Sequence, residues 1–159
     1  MSKKEDKAEY GSARMVDVSD KAVTSRTATA EGIVRVSPDT MRMIEDGTLP
    51  KGDVFDVARV AGMMAAKRTA DLLPMCHPIV LDDIGVEIER AGADTLKIRA
   101  SVKAEAKTGA EMEALVAVSV AALTVYDMCK GVDRGIQLTD IRVLRKSGGR
   151  SGDWVAESD

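Results

Sequence analysis

Asp127 and Lys130 stand three residues apart in the run Tyr126-Asp127-Met128-Cys129-Lys130, immediately before Gly131. A carboxylate and an ammonium group at that spacing can keep each other charged and move protons between them and a ligand. From Ala114 to Val125 the chain carries no charged residue, and the stretch reads as a helix that Gly131 can end. Lys130 then complements the negative end of the helix dipole, whereas Asp127 opposes it. Asp127 therefore has the weakest structural reason of any candidate to be where it is.

Other residue types suited to chemistry have a structural reading as well as a functional one. Lys51 precedes a helix and is either a solvated lysine or a contact for phosphate or a proton. Lys67 and Asp71 are spaced for a surface ion pair, and Arg68 beside them is equally placed to meet a ligand. Cys76-His77 invites thoughts of metal, but neighbouring residues in an extended loop point apart. The chain has one histidine, and no nearby cysteine completes a ligand set, so no metal site is expected. The imidazole of His77 is a group type suited to hydrogen bonding or proton transfer. Glu111 completes a T-x-x-E capping box with Thr108, and Glu113 gains from the helix dipole. Lys146 and Arg150 flank Ser147-Gly148-Gly149, which is phosphate-cradle-like in composition but matches neither the P-loop nor the dinucleotide fingerprint.

The elements that must position these groups follow from periodicity. Thr27 to Val36 reads as a strand. Ser37-Pro38-Asp39 opens a short helix that Gly47 ends. Asp53 caps a long helix running to about Leu73, stopped by Pro74. Ile84, Val86 and Ile88 alternate with Glu87 and Glu89, and Leu96, Ile98, Ala100 and Val102 alternate with Lys97, Arg99 and Lys103, giving two strands joined by the turn 91–94. Their acidic and basic wet faces should attract across the ladder. The capping box starts the second long helix, and a last strand begins near Ile136 with a bulge or break near Asp140. The order predicts a single α+β domain over residues 15–152, with tails at 1–14 and 153–159. Its sheet is mainly antiparallel and covered by helices on one face, with one additional short helix.

An apolar run of a dozen residues spans about 18 Å, too short for a bilayer. A helix apolar all round must be buried all round, so its second face calls for another copy of the chain. Glu113 and Asp127 are 14 residues apart, nearly four turns, and so share a face about 21 Å apart. If both serve one site, that site must be shared between subunits.

Composition narrows the partners. A chain of 159 residues with net charge -3 lacks the broad basic character of a nucleic-acid binder, yet a few converging lysines suffice for a small anion. Aromatics are 3% of the chain, so Val, Ala, Leu, Ile and Met must fill the core. The charged opening run lacks a signal-peptide pattern, and two cysteines make no disulfide framework, which points to a reducing cytoplasm.

Taken together, several runs resemble the cyclic pyranopterin monophosphate synthases of molybdenum-cofactor biosynthesis. They are Met15-Val16-Asp17-Val18-Ser19, Lys51-Gly52-Asp53-Val54, Ala65-Ala66-Lys67-Arg68-Thr69-Ala70-Asp71-Leu72, Cys76-His77-Pro78, Lys107-Thr108-Gly109, Glu111-Met112-Glu113-Ala114-Leu115, Tyr126-Asp127-Met128-Cys129-Lys130 and Lys146-Ser147-Gly148-Gly149. The resemblance covers about residues 14–152. Met63-Met64 and Met75 differ from the residues expected there but keep similar bulk and no charge.

The resemblance implies a ferredoxin-like fold and a hexamer built as a trimer of dimers. It also implies conversion of a cyclic dihydroguanosine triphosphate to cyclic pyranopterin monophosphate, releasing diphosphate. Asp127 matches the family's acid/base position, and Lys51 and Lys130 its catalytic lysines. Met75, Cys76 and His77 match a substrate-binding loop, and Met112 and Glu113 a second binding segment. Glu111, Arg26, Lys67 and Lys146 fall at or near the site. No protein-bound cofactor is implied, and magnesium with the phosphates is compatible but not required. Lysines crowded by other cations would have lowered pKa values. Two rivals stand against this reading. One is an oligomeric nucleotide sensor without chemistry. The other is a phosphohydrolase, which needs a metal-binding carboxylate cluster that the sequence does not display.

Overall fold

The computed structural model describes residues 13–157; the remainder of the two tails lies outside the described residues. In chain order the elements are β1 (Thr24–Arg35), α1 (Pro38–Glu45), α2 (Val54–Ala66), α3 (Thr69–Leu72), β2 (Asp83–Arg90), β3 (Thr95–Ala106), α4 (Glu111–Cys129), β4 (Gln137–Ser147) and β5 (Trp154–Val155). The sheet runs β2-β3-β1-β4-β5 and every neighbouring pair is antiparallel. Its first four strands have the ferredoxin-like order, as expected. Trp154–Val155, in the stretch read as tail, adds a short edge strand through Arg145 and Lys146.

The inward face of the sheet is built from alternate residues: Ala28, Ala30 and Val34 on β1, Val86 and Ile88 on β2, and Leu96 through Ala106 on β3. Its small side chains let α4 lie close. A Cβ on Gly32 would come within 2.7 Å of Val118 Cγ1, so glycine is needed where α4 crosses β1. Opposite Gly32 the register slips between Glu31 and Ile33, and Asp140 takes a φ of 54°. This is the bulge expected near Asp140, at a residue type that tolerates the left-handed region.

Two helix boundaries differ from expectation. The helix begun by the Asp53 cap stops at Ala66, with Lys67 as its C-cap, and a separate single turn, Thr69–Leu72, follows. The Thr69 hydroxyl donates to the Ala66 carbonyl at 3.0 Å, which satisfies an end carbonyl at the break. The capping box does not form: Ala110 is the N-cap of α4 and offers no side-chain bond, because Glu111 turns instead to Lys146.

The burial of α4 is also partly reassigned. One face covers the sheet, and α2 of the same chain covers much of the other. Contact is close because a Cβ at Gly62 would lie 2.8 Å from the Ala117 carbonyl oxygen. At 19 residues α4 is long and apolar enough to cross a membrane, but ten of its residues are buried in this packing, so it is a core helix. Leu123 stays exposed, as do Val57, Val60 and Met64 on α2.

On the helix-free face, Glu87 sits opposite Arg99 and Glu89 opposite Lys97, the predicted complementary register. Arg99 nevertheless pairs with Glu31 on β1, at 3.6 Å, and Arg142 Nε meets the same carboxylate at 3.2 Å. β1 lies on the other side of β3, so the basic row serves two neighbours.

Candidate active site

The packing of α2 along α4 divides the candidate residues into two groups. The residues before α2 meet the end of α4, and the residues after α2 meet its beginning.

At the C-terminal end, Gly52 adopts a φ of 95° and Asp53 caps α2 by accepting from Asp56 N at 3.0 Å. This bend aims Lys51 across to α4. Lys51 Nζ donates to Asp127 Oδ2 at 2.7 Å and to the Asp127 carbonyl at 3.0 Å. Lys130 Nζ lies 2.7 Å from Asp127 Oδ1. Each carboxylate oxygen therefore has its own ammonium group. Hydrogen bonds from Lys130 and then Lys51 hold the Asp127 pKa down to about 2. The reciprocal bond raises that of Lys130, opposite to the lowering expected for crowded lysines, because the nearest charge is an anion. The two cations also answer the puzzle of an aspartate at the negative end of a helix. All three side chains are about half exposed, so the cluster faces solvent or whatever binds there.

At the N-terminal end the same residue types behave differently. Glu113 is only 4% exposed. Burial raises its pKa, and the neighbouring Glu111 adds to the rise. Glu113 lines a tight cavity of about 90 Å³ with Lys67, Arg68, Thr69, Pro78 and Ile79. Lys67 and Asp71 both border this cavity but form no salt bridge among the described residues. Glu111 is also partly buried, which works to raise its pKa. The Lys146 hydrogen bond at 2.7 Å, its own backbone and the charges of Lys146 and Arg26 outweigh that and lower it.

The loop after α3 brings Cys76 and His77 to this end. Burial and then the Glu113 charge push the Cys76 thiol up, away from reactive thiolate character. His77 Nε2 donates to the Val16 carbonyl at 2.7 Å. A carbonyl can only accept, so the proton lies on Nε2 and Nδ1 is the nitrogen left for a ligand. His77 also lines a cavity of about 300 Å³ with Val18, Val23, Ile79, Lys107 and Thr108. Met75 and Met112, both exposed, border the same end. Arg26 reaches in from β1, donating from Nη1 to the Gly148 carbonyl at 3.2 Å and from Nη2 to the Lys107 carbonyl at 3.3 Å.

Lys51, Asp127 and Lys130 thus meet at one end. Glu111, Glu113, Arg26, Lys146, Lys67 and the Met75–His77 loop gather around the other. α4 is unbroken from Glu111 to Cys129, so the two sets stay about 21 Å apart in one chain. No group of three or more potential metal ligands occurs among the described residues.

Two contributors escape a reading by residue type. Lys107 acts through its carbonyl, and its Nζ anchors the Ser19 carbonyl at 2.9 Å. Asp133, buried, accepts from Ser37 N at 2.7 Å and Gly135 N at 2.9 Å, tying the start of α1 to the turn after α4. Only the Asx-turn spacing of Asp133 and Gly135 signalled this in the sequence.

Compared with known protein families, residues 15–149 match the model described as the MoaC family.

Proposed function

From the premise that the chain belongs to the MoaC family, and so to molybdenum-cofactor biosynthesis, we propose that it is the lyase converting a cyclic dihydroguanosine triphosphate to cyclic pyranopterin monophosphate and diphosphate. The observation that carries this reading is the Asp127 carboxylate held between Lys51 and Lys130. With its pKa near 2, Asp127 stays ionised at neutral pH and orients two ammonium groups. Both groups are suited to stabilise the charge of a departing diphosphate, and Lys51 to pass a proton to the substrate. An oxygen of the ribose-derived part attacks the phosphorus nearest it, forming the cyclic phosphate as the bond to diphosphate breaks. Glu113, whose raised pKa brings it closer to neutrality, is suited to exchange protons with the rearranging ring. The Met75–His77 loop and Met112 form its walls, and Arg26, Lys67 and Lys146 meet the phosphates.

One substrate cannot span both ends of α4. The reading therefore requires a partner copy to bring its Lys51, Asp127 and Lys130 cluster to this chain's N-terminal cluster. Exposed Val57, Val60, Met64 and Leu123 on the outer sides of α2 and α4 suit such an assembly, in the hexamer that the family resemblance implies. Both cysteines are free thiols, in keeping with a cytoplasmic enzyme.

The test is direct. Purified protein is incubated with the cyclic dihydroguanosine triphosphate, and diphosphate is measured together with the fluorescent pterin formed on oxidation. Both should appear. Folded protein that binds the triphosphate but yields neither product would instead mark a nucleotide sensor.

A further inference from the structure

We infer that Gly148 and Gly149 are positioning residues whose backbone forms a seat for the Arg26 guanidinium, fixing it at the wall of an anion-binding groove. The inference deepens the proposed substrate-binding role of Arg26 and rests on it.

Both glycines have positive φ, 94° and 76°, a conformation that side-chain-bearing residues rarely adopt. Conformation alone does not distinguish them, since Gly52 and Gly152 share it, at 95° and 63°, and face open space. The distinction is steric. A Cβ on Gly149 would fall onto Nη1 and Cζ of Arg26, and one on Gly148 onto the Ser25 carbonyl oxygen. The Arg26 guanidinium therefore occupies the space that a side chain at 149 would take, while a side chain at 148 is excluded by the backbone of β1.

The guanidinium is also tied to both flanking segments. Nη1 donates to the Gly148 carbonyl and Nη2 to the Lys107 carbonyl. Its Nε is buried and has no hydrogen-bond partner among the described residues. A buried cationic donor left without an acceptor is costly, so the protein alone does not satisfy Arg26. Beside it lies a groove of about 550 Å³ lined by Lys21, Arg26, Arg150, Asp20, Thr24 and Gly149. Three cations against one anion select an oxyanion, the chemical class of the phosphate groups on the proposed substrate.

The experiment uses inorganic tripolyphosphate, which requires no turnover, so it is informative even if the proposed reaction fails. The full chain is compared with Gly149→Ala, Arg26→Ala, Arg26→Lys and the double variant G149A with R26A. In wild-type protein the Arg26 Nε–H cross-peak, assigned by its absence in Arg26→Lys, should be sharp, dispersed and shifted by tripolyphosphate. Gly149→Ala should move that peak to the position of a free arginine and weaken binding about tenfold, the effect of losing one charge-assisted hydrogen bond. In the Arg26→Ala background the same glycine change should add nothing to the binding loss, even though backbone strain still lowers Tm. Equal weakening in both backgrounds would overturn the proposal. So would a wild-type Arg26 resonance unmoved at saturating tripolyphosphate, a measurement that stands even if Gly149→Ala fails to fold.

Discussion

The two ends of α4 carry the same chemical group in opposite conditions. Asp127 is exposed and clamped by two ammonium groups, and its pKa falls to about 2. Glu113 is buried without a hydrogen-bonded cation among the described residues, and its pKa rises. Glu111, two residues before Glu113, shows what decides between these outcomes. It too is partly buried, yet the Lys146 bond lowers its pKa despite that burial. Pairing outweighs desolvation when a cation reaches hydrogen-bond distance, and desolvation governs when none does. One helix thus presents a permanent anion at one end and a carboxyl nearer neutrality at the other.

The largest expected effect comes from breaking the exposed end. Lys51→Ala should reduce diphosphate release by about 10²–10⁴-fold while size-exclusion chromatography shows an unchanged assembly; near-normal turnover would remove Lys51 from the mechanism. Next comes a test of whether the ends cooperate across chains. Asp127→Asn and Glu113→Gln should each be nearly inactive alone, and exchanging subunits between them should restore a measurable fraction of activity. No recovery in verified mixed assemblies would place each site within one chain.

A smaller effect is expected from loosening the strut between the ends. Gly62→Val would press against Ala117 and Ala121 and should cost about 1–3 kcal/mol by overpacking, read from urea denaturation. An unchanged midpoint would show that α2 does not hold its close distance.

The pH dependence should differ in sign at the two ends. For Asp127 the folded pKa lies below the unfolded value of 3.8. Its stabilisation is present above that value and lost as pH falls toward about 2. Asp127→Asn should therefore lower Tm at neutral pH and flatten the acid limb. For Glu113 the folded pKa lies above 4.5, so stability falls as pH rises from 4.5 toward the folded value. Glu113→Gln should match wild type at pH 4 and melt higher at pH 7; the reverse order would show that the buried carboxylate has a stabilising partner. The smallest effect belongs to Thr108→Ala, which should shift stability by less than about 0.5 kcal/mol, because Thr108 does not cap α4.

Much of this was legible in the sequence because periodicity is a local property. Alternation in 84–88 and 96–102 placed β2 and β3, Ser37 and Asp53 marked helix starts, and the parity change near Asp140 marked the bulge. Asp127 stood out because its position opposed the helix dipole. What stayed illegible depends on contacts distant in sequence. Glu111 fits a capping box locally, but Lys146, 35 positions away, offers a charge-assisted bond. The second cover of α4 looked like another chain because nothing local shows that Gly62 brings α2 onto Ala117. The break at Lys67–Arg68 follows no glycine or proline, so no local signal gave it away. Arg26 and Met112 drew attention only through the family resemblance, since neither has a distinctive spacing of its own.

The unbroken course of α4 from Glu111 to Cys129 turns a distance into a residue count. Adding one residue would lengthen the helix by about 1.5 Å and swing one terminus by about 100° relative to the other. Related chains can vary the loops around 91–94 or the tails without consequence for that spacing. Within α4 an insertion or deletion changes the geometry in a single large step, so its length should be invariant among descendants that keep the same chemistry, while its apolar side chains remain free to exchange for others of equal volume.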